Sequence, residues 1–218
     1  MRKILIFQIL AFFTLNSYGQ INPVDLNEIK SVSKTVTYKI LLDRFLTNDT
    51  TLSLDDYRII YYGQAFQDNY KPYESHDSIR ALNFYLNNSK DTVDFKKVLN
   101  YTKQILNDFP FNIEQIYVTG VAYDKLGKKE LSEIWFYKYE KLILAIMSSG
   151  DGKSEKSAFI VTKVADEYSL LNALGLNFEG QSLVSNNIGN FDLMSVSQND
   201  YGIDKLFFNI DLFFGKWE

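Results

Sequence analysis

From Thr35 to Leu46 the apolar residues Val36, Ile40, Leu41 and Phe45 recur at the spacing of one helical face, and Asn48-Asp49 breaks the run. A second helix is predicted from a Thr51 or Ser53 cap to about Phe66, with Asp55 and Asp56 at the positive end of its dipole. Asn69 to Ser75 reads as a loop, because Pro72 lacks a backbone donor and pushes its predecessor toward extended geometry. A short helix is predicted over Ser78 to Leu86. A longer one opened by Asp94 lines up Phe95, Val98, Leu99, Thr102, Ile105, Leu106 and Phe109 before Pro110 stops it. Ile113 to Leu126 predicts a further helix closed by Gly127. Leu131, Ile134, Trp135, Tyr139, Leu142, Ile143 and Ile146 then mark the face of a long one that ends by Gly150. Residues 20 to 34 are polar and too weakly periodic to predict an element.

Past Gly150 the pattern changes. Ser157 to Lys163, Phe191 to Ser197 and Leu206 to Asp211 read as strands, and Asp166 is placed as the cap of a helix that Gly175 closes after Leu174. The turn run Gln198 to Gly202 predicts an antiparallel hairpin, and Phe207, Ile210 and Phe213 are the expected contacts of the sheet with the helices. The fold class is therefore α+β: a helical array, then a small antiparallel sheet with one helix.

In the array, Asp108-Phe109-Pro110, Gly120, Tyr123, Leu126-Gly127 and Phe136 resemble a tetratricopeptide repeat. There a small residue on one helix lets the next approach, and aromatics fill the remaining gap. The match is partial. Ser132 stands where alanine is usual, and about three repeats are needed for a stable solenoid, so one repeat-like hairpin in a mixed domain is expected.

The N-terminus changes the compartment. Arg2-Lys3, the apolar run Ile4 to Leu15 and Ser17-Tyr18-Gly19 form the three successive parts of a secretory signal peptide, cut near Gly19/Gln20. The expected organisation is a leader over 1–19, a helical region over 20–148 and an α+β region over 149–218. Location is periplasmic or extracellular, and no membrane span is expected in the mature chain, since a bilayer core of about 30 Å needs about 20 apolar residues. Losing Arg2 and Lys3 with the leader takes the net charge from -4 to -6, which disfavours nucleic acid and anionic membranes as partners. The chain contains no cysteine and one histidine. That removes disulfides, thiol nucleophiles and the usual zinc ligand sets, and no metal or cofactor is implied.

Asp49-Thr50-Thr51-Leu52, Asp56-Tyr57-Arg58, Tyr61-Tyr62-Gly63, Phe66 and Tyr70-Lys71-Pro72-Tyr73 resemble the N-terminal signature of an uncharacterised family of exported bacterial proteins, a domain of unknown function. Gly150-Asp151-Gly152, Asp166-Glu167-Tyr168 and Phe207 to Asp211 resemble that family's C-terminal half. The resemblance implies export and no assigned activity, so it supplies no catalytic residue.

Catalytic candidates are sparse. Gly152-Lys153-Ser154 lacks the upstream glycine of a phosphate loop, because Met147 stands there. His76-Asp77 lacks a nucleophile elbow. Carboxylate pairs such as Asp151 with Glu155 or Asp166 with Glu167 leave open a hydrolase acting on envelope or extracellular polymers, although adjacent acids at a helix start usually serve as caps. The strongest binding candidates are aromatic: Tyr57, Tyr61, Tyr62, Phe66, Tyr70 and Tyr73 offer large contact area with polar tips, suited to a protein, peptide or glycan partner. They would serve equally as filling between the first helices and the array. The expectation is thus a non-enzymatic binding module of the cell envelope, with the carboxylate hydrolase as the alternative.

Overall fold

The computed structural model describes residues 24–89 and 93–216, so the expected leader over 1–19 and its expected cleavage site lie outside the described residues. Among the described residues eight α-helices precede or interleave a four-stranded sheet, which establishes the α+β class. Helix α1 (Leu26–Val32) starts at Asp25, whose carboxylate accepts from the amides of Asn27 and Glu28. The sequence pattern did not predict it, because Ile29 is its one buried residue.

Helix α2 (Val36–Leu46) buries Tyr38, Leu41 and Phe45, while Val36 and Ile40 are exposed, so its inward face is turned from the predicted one. Tyr38 sets that rotation by filling the space beside Gly63, where a Cβ would come within 2.6 Å of its ring. Helix α3 (Leu54–Gly63) opens with a capping box in which Ser53 and Asp56 satisfy each other's backbone amides. A 3-10 turn (Gln64–Phe66) extends it. After the 67–76 loop come α4 (Asp77–Asn88), α5 (Phe95–Asp108), α6 (Ile113–Lys125) and α7 (Lys129–Met147).

The α6–α7 hairpin is built on a close approach. A Cβ at Gly120 would lie 3.0 Å from the Phe136 ring, and the Ser132 hydroxyl donates to the Gly120 carbonyl at 3.0 Å. The serine in place of alanine thus ties the two helices together.

The C-terminal part comprises β1 (Phe159–Ile160), α8 (Val164–Leu174), β2 (Phe178–Ser185), β3 (Asn190–Val196) and β4 (Lys205–Asn209). The sheet order is β1-β4-β3-β2, with β3 antiparallel to both neighbours and β1 parallel to β4, so the sheet is mixed rather than wholly antiparallel. The predicted Ser157–Lys163 strand shrinks to two residues because a 3-10 turn (Glu155–Ser157) precedes it and Lys163 already caps α8. On β4 the buried side chains are Leu206 and Phe208, with Phe207 turned outward by strand alternation. Ile210 and Phe213 are buried as expected.

One apolar core runs from Ile29 to Phe213 through both parts of the chain. A satellite core of Leu82, Val98, Ile105 and Ala122 joins α4, α5 and α6. No helix among the described residues is long and apolar enough to cross a membrane.

Candidate functional site

The six aromatic candidates separate into two groups. Tyr57, Tyr61 and Tyr62 are each 0% exposed, so no ligand reaches them in this structure. Tyr57 packs edge-on against Phe45 and Tyr137. Tyr61 donates to Asp166 Oδ2 at 2.8 Å and accepts from the Thr162 amide at 3.2 Å. Tyr62 reaches the carbonyls of Ala145 and Ile160. Burial pushes the hydroxyls of Tyr57, Tyr61 and Tyr62 well above the ordinary tyrosine range.

Phe66, Tyr70 and Tyr73 lie nearer the surface. Lys30 sits 5.9 Å from the Phe66 ring centroid. Tyr70 donates to the Thr162 carbonyl, and Tyr73 donates to the Phe213 carbonyl at 3.0 Å while stacking edge-on with that ring. Four of these hydroxyls therefore cross from the helical array or its following loop to residues after Ile160 or to the last turn of α7. The cluster is a joint between the two parts of the chain.

Beside that joint lies an acidic cluster of which the sequence singled out only the Asp166–Glu167 pair. Asp166 and Glu167, in the first turn of α8, are completely buried, and Asp192 on β3 is buried with them. Asp166 is not a helix cap: Lys163 holds that position, and Asp166 accepts from Thr162 Oγ1 at 2.9 Å as well as from Tyr61. Its carboxyl is raised by burial. Burial, and then the neighbouring Asp192, push Glu167 up to about 10. Burial raises Asp192 as well. Both carboxyl oxygens of Glu167 are buried with no hydrogen-bond partner among the described residues, so desolvation beside Asp192 is what favours its neutral form.

A concave surface among the described residues lies elsewhere, where the 67–76 loop meets the end of α5. A cavity of about 570 Å³ is lined by Asn69, Lys71, Glu74, Ser75, His76, Asp77, Asn107, Asp108 and Phe109. His76 caps α4 by accepting from the Ser78 amide at Nδ1, 3.0 Å away. Its proton therefore lies on Nε2, which faces Asp108 Oδ2 at 3.4 Å. Asp108, not the adjacent Asp77, is its acidic partner. With both ring nitrogens engaged, His76 is not placed as the base of a nucleophilic triad. Lys71 pairs with Glu74 at 2.6 Å across the rim. The lining thus offers three carboxylates, one ammonium, two amides, a hydroxyl and the His76 imidazole, with the half-buried Phe109 as its one apolar side chain.

Among the described residues no group of histidine, cysteine, aspartate and glutamate is arranged to hold a metal ion. Of the other acid pairs, Asp151 accepts from the Lys153 amide, and Glu155 accepts from the Asn186 side chain at 3.0 Å. Both are occupied in fixing turns.

A family model described as a domain of unknown function, DUF4919, matches residues 26–216, and the chain belongs to that family. No curated protein and no solved structure matches the chain.

Proposed function

We propose that the protein is an exported, non-enzymatic binding module of the cell envelope that takes a peptide or glycan in the groove between the 67–76 loop and the end of α5. The observation that carries this reading is the cavity of about 570 Å³ with a mainly polar lining. A volume of that order suits a few sugar or amino-acid units, and its donors and acceptors match hydroxyl and amide groups. Its excess of carboxylates favours neutral or basic ligands over acidic ones. The repeat-like α6–α7 hairpin supports a binding role by analogy with helical repeats, and the N-terminal leader supports export.

A glycan array and a peptide library screened against residues 20–218 test the reading. Ligands found there should lose most of their affinity in the double variant His76→Ala, Asp108→Ala, which circular dichroism should show folded although the lost α4 cap lowers its thermal midpoint somewhat. Binding that this variant leaves unchanged, or no binding in either library, refutes it. The cleavage site is checked separately by N-terminal sequencing of the exported protein, which should begin at Gln20.

The carboxylate-hydrolase alternative needs two acids separated by about 5 to 9.5 Å across an accessible cleft. Glu167 and Asp192 are both buried and reach no accessible cleft. Turnover would therefore have to use Glu74, Asp77 or Asp108, and hydrolysis of an array glycan abolished by Asp108→Asn would favour it.

A further inference from the structure

Strand β2 forms one edge of the sheet, and its outer side is open. The direction of its backbone groups follows from the next strand. The Val196 amide donates to Asp204 and the Asn190 carbonyl accepts from Ile210, so Asn190, Asp192, Met194 and Val196 turn their backbone groups toward β4. Their partners Ser185, Leu183 and Gln181 must then turn theirs away from β3, because directly opposed residues in an antiparallel pair face each other or face away together. These three residues present along the edge a row of N–H and C=O groups that have no backbone partner among the described residues.

Natural edges of this kind are usually blunted by lysine, proline or a bulge. β2 contains no lysine or proline, and Glu179 is its single charge. Its register shift lies between Phe178 and Gly180, which leaves Gln181 to Ser185 regular. The same hairpin exposes three large apolar side chains, Phe178 at 42%, Leu183 at 56% and Ile188 at 50%.

We infer that this edge is a dimer interface, and that its occupant is β2 of a second copy of the chain, running antiparallel about a twofold axis through Leu183. The argument is self-complementarity. With Leu183 opposite Leu183, Gln181 falls opposite Ser185 and Glu179 opposite Asn187, so no like charges meet although each copy is acidic overall. The same register brings Phe178 to the turn that carries Ile188. All three exposed apolar residues of the hairpin are then covered by one another, in a closed, isologous contact. Each copy supplies the outward N–H and C=O groups of Gln181, Leu183 and Ser185, and the two sheets become one continuous sheet of eight strands.

The absence of cysteine gives a direct test. In a hydrogen-bonded antiparallel pair the twofold Leu183 Cα atoms would lie about 5.5 Å apart, within the roughly 4.4–6.8 Å span of a disulfide. Under mild oxidation Leu183→Cys should form a covalent dimer, whereas Val36→Cys, equally exposed on α2, should stay monomeric. By sedimentation the native chain should show a concentration-dependent dimer that Leu183→Lys abolishes. Asn187→Lys, which sets lysine against Glu179 of the second copy at two symmetric places, should tighten the dimer about two- to ten-fold. Both lysine variants alter exposed positions, and circular dichroism should show them folded.

Three results overturn the inference: a native chain still monomeric at about 100 μM, even if its β2 amides respond to an added foreign peptide; a Leu183→Cys that cross-links no faster than Val36→Cys; or a dimer insensitive to Leu183→Lys.

Discussion

Replacing Glu167 by glutamine should stabilise the protein, by an amount that grows with pH. In the folded chain its carboxyl is pushed from 4.5 to about 10, by burial and then by Asp192. A raised acid pKa contributes stability that is complete below pH 4.5 and is lost as the pH rises toward 10, since folding must return to Glu167 a proton that the unfolded chain has released. Each pH unit in that window costs about 1.4 kcal/mol. Between pH 5 and pH 7 the native protein should therefore lose about 3 kcal/mol that Glu167→Gln keeps, because the isosteric carboxamide needs no proton. Urea denaturation of both proteins at pH 5, 6, 7 and 8 measures this. The two stabilities should nearly coincide at pH 5 and diverge steadily above it. Parallel pH profiles, or a variant less stable than the native chain at pH 7, would refute a buried Glu167 held neutral by desolvation.

Lys138, buried over the rings of Phe45 and Trp135, is lowered from 10.5 to about 8 by desolvation. The stability it withholds should return as pH climbs from about 8 to 10.5, and Lys138→Met should remove that rise from the denaturation profile. Tyr61→Phe deletes the donor to Asp166 and the acceptor of the Thr162 amide and should cost about 1–3 kcal/mol. Tyr57→Phe, one helical turn earlier, removes a buried hydroxyl without a hydrogen-bond partner and should be neutral or stabilising by up to about 1 kcal/mol. Equal losses in the same urea assay would contradict the assigned bonding. Gly150→Ala would place a Cβ 2.2 Å from the Ser157 carbonyl oxygen; it should cost about 1–3 kcal/mol, read as a fall of several degrees in the thermal midpoint.

What could be read from the sequence was local. Caps at Ser53 and Asp94 and the left-handed stops at Gly127 and Gly175 act within a turn of their own residue, and each lies where the pattern put it. Elements without a one-sided pattern were not legible. α1 buries one side chain, and β2 is exposed on both faces, so neither shows the periodicity that marks a helix or a strand. The inward face of α2 was misplaced because Tyr38 is half polar by composition, while the space that admits its ring is made by Gly63, twenty-five residues away. The site was less legible still. His76 meets Asp108 and Glu167 meets Asp192 only through the fold, and adjacency suggested Asp77 and Asp166 instead.

The tyrosine joint also explains why the groove has a fixed shape. The loop that forms one wall carries Pro72 and no regular element, so alone it would sample many conformations. Tyr70 holds its start to Thr162, and Tyr73 holds its middle to Phe213. Thr162 in turn is bonded through its amide to Tyr61 and through its hydroxyl to Asp166. A groove built mainly from the helical array is thus held open by anchors in the C-terminal part, at sequence separations of 92 and 140 residues. Truncation before Phe159 would remove both anchors and open the shared core, so the helical array alone should not keep the groove's geometry. In the full chain, Tyr73→Phe cuts one anchor at a partly exposed position. It should weaken ligand binding at the groove while costing at most about 1 kcal/mol of stability. Equal binding by Tyr73→Phe and the native chain would show that the loop holds its shape without that bond.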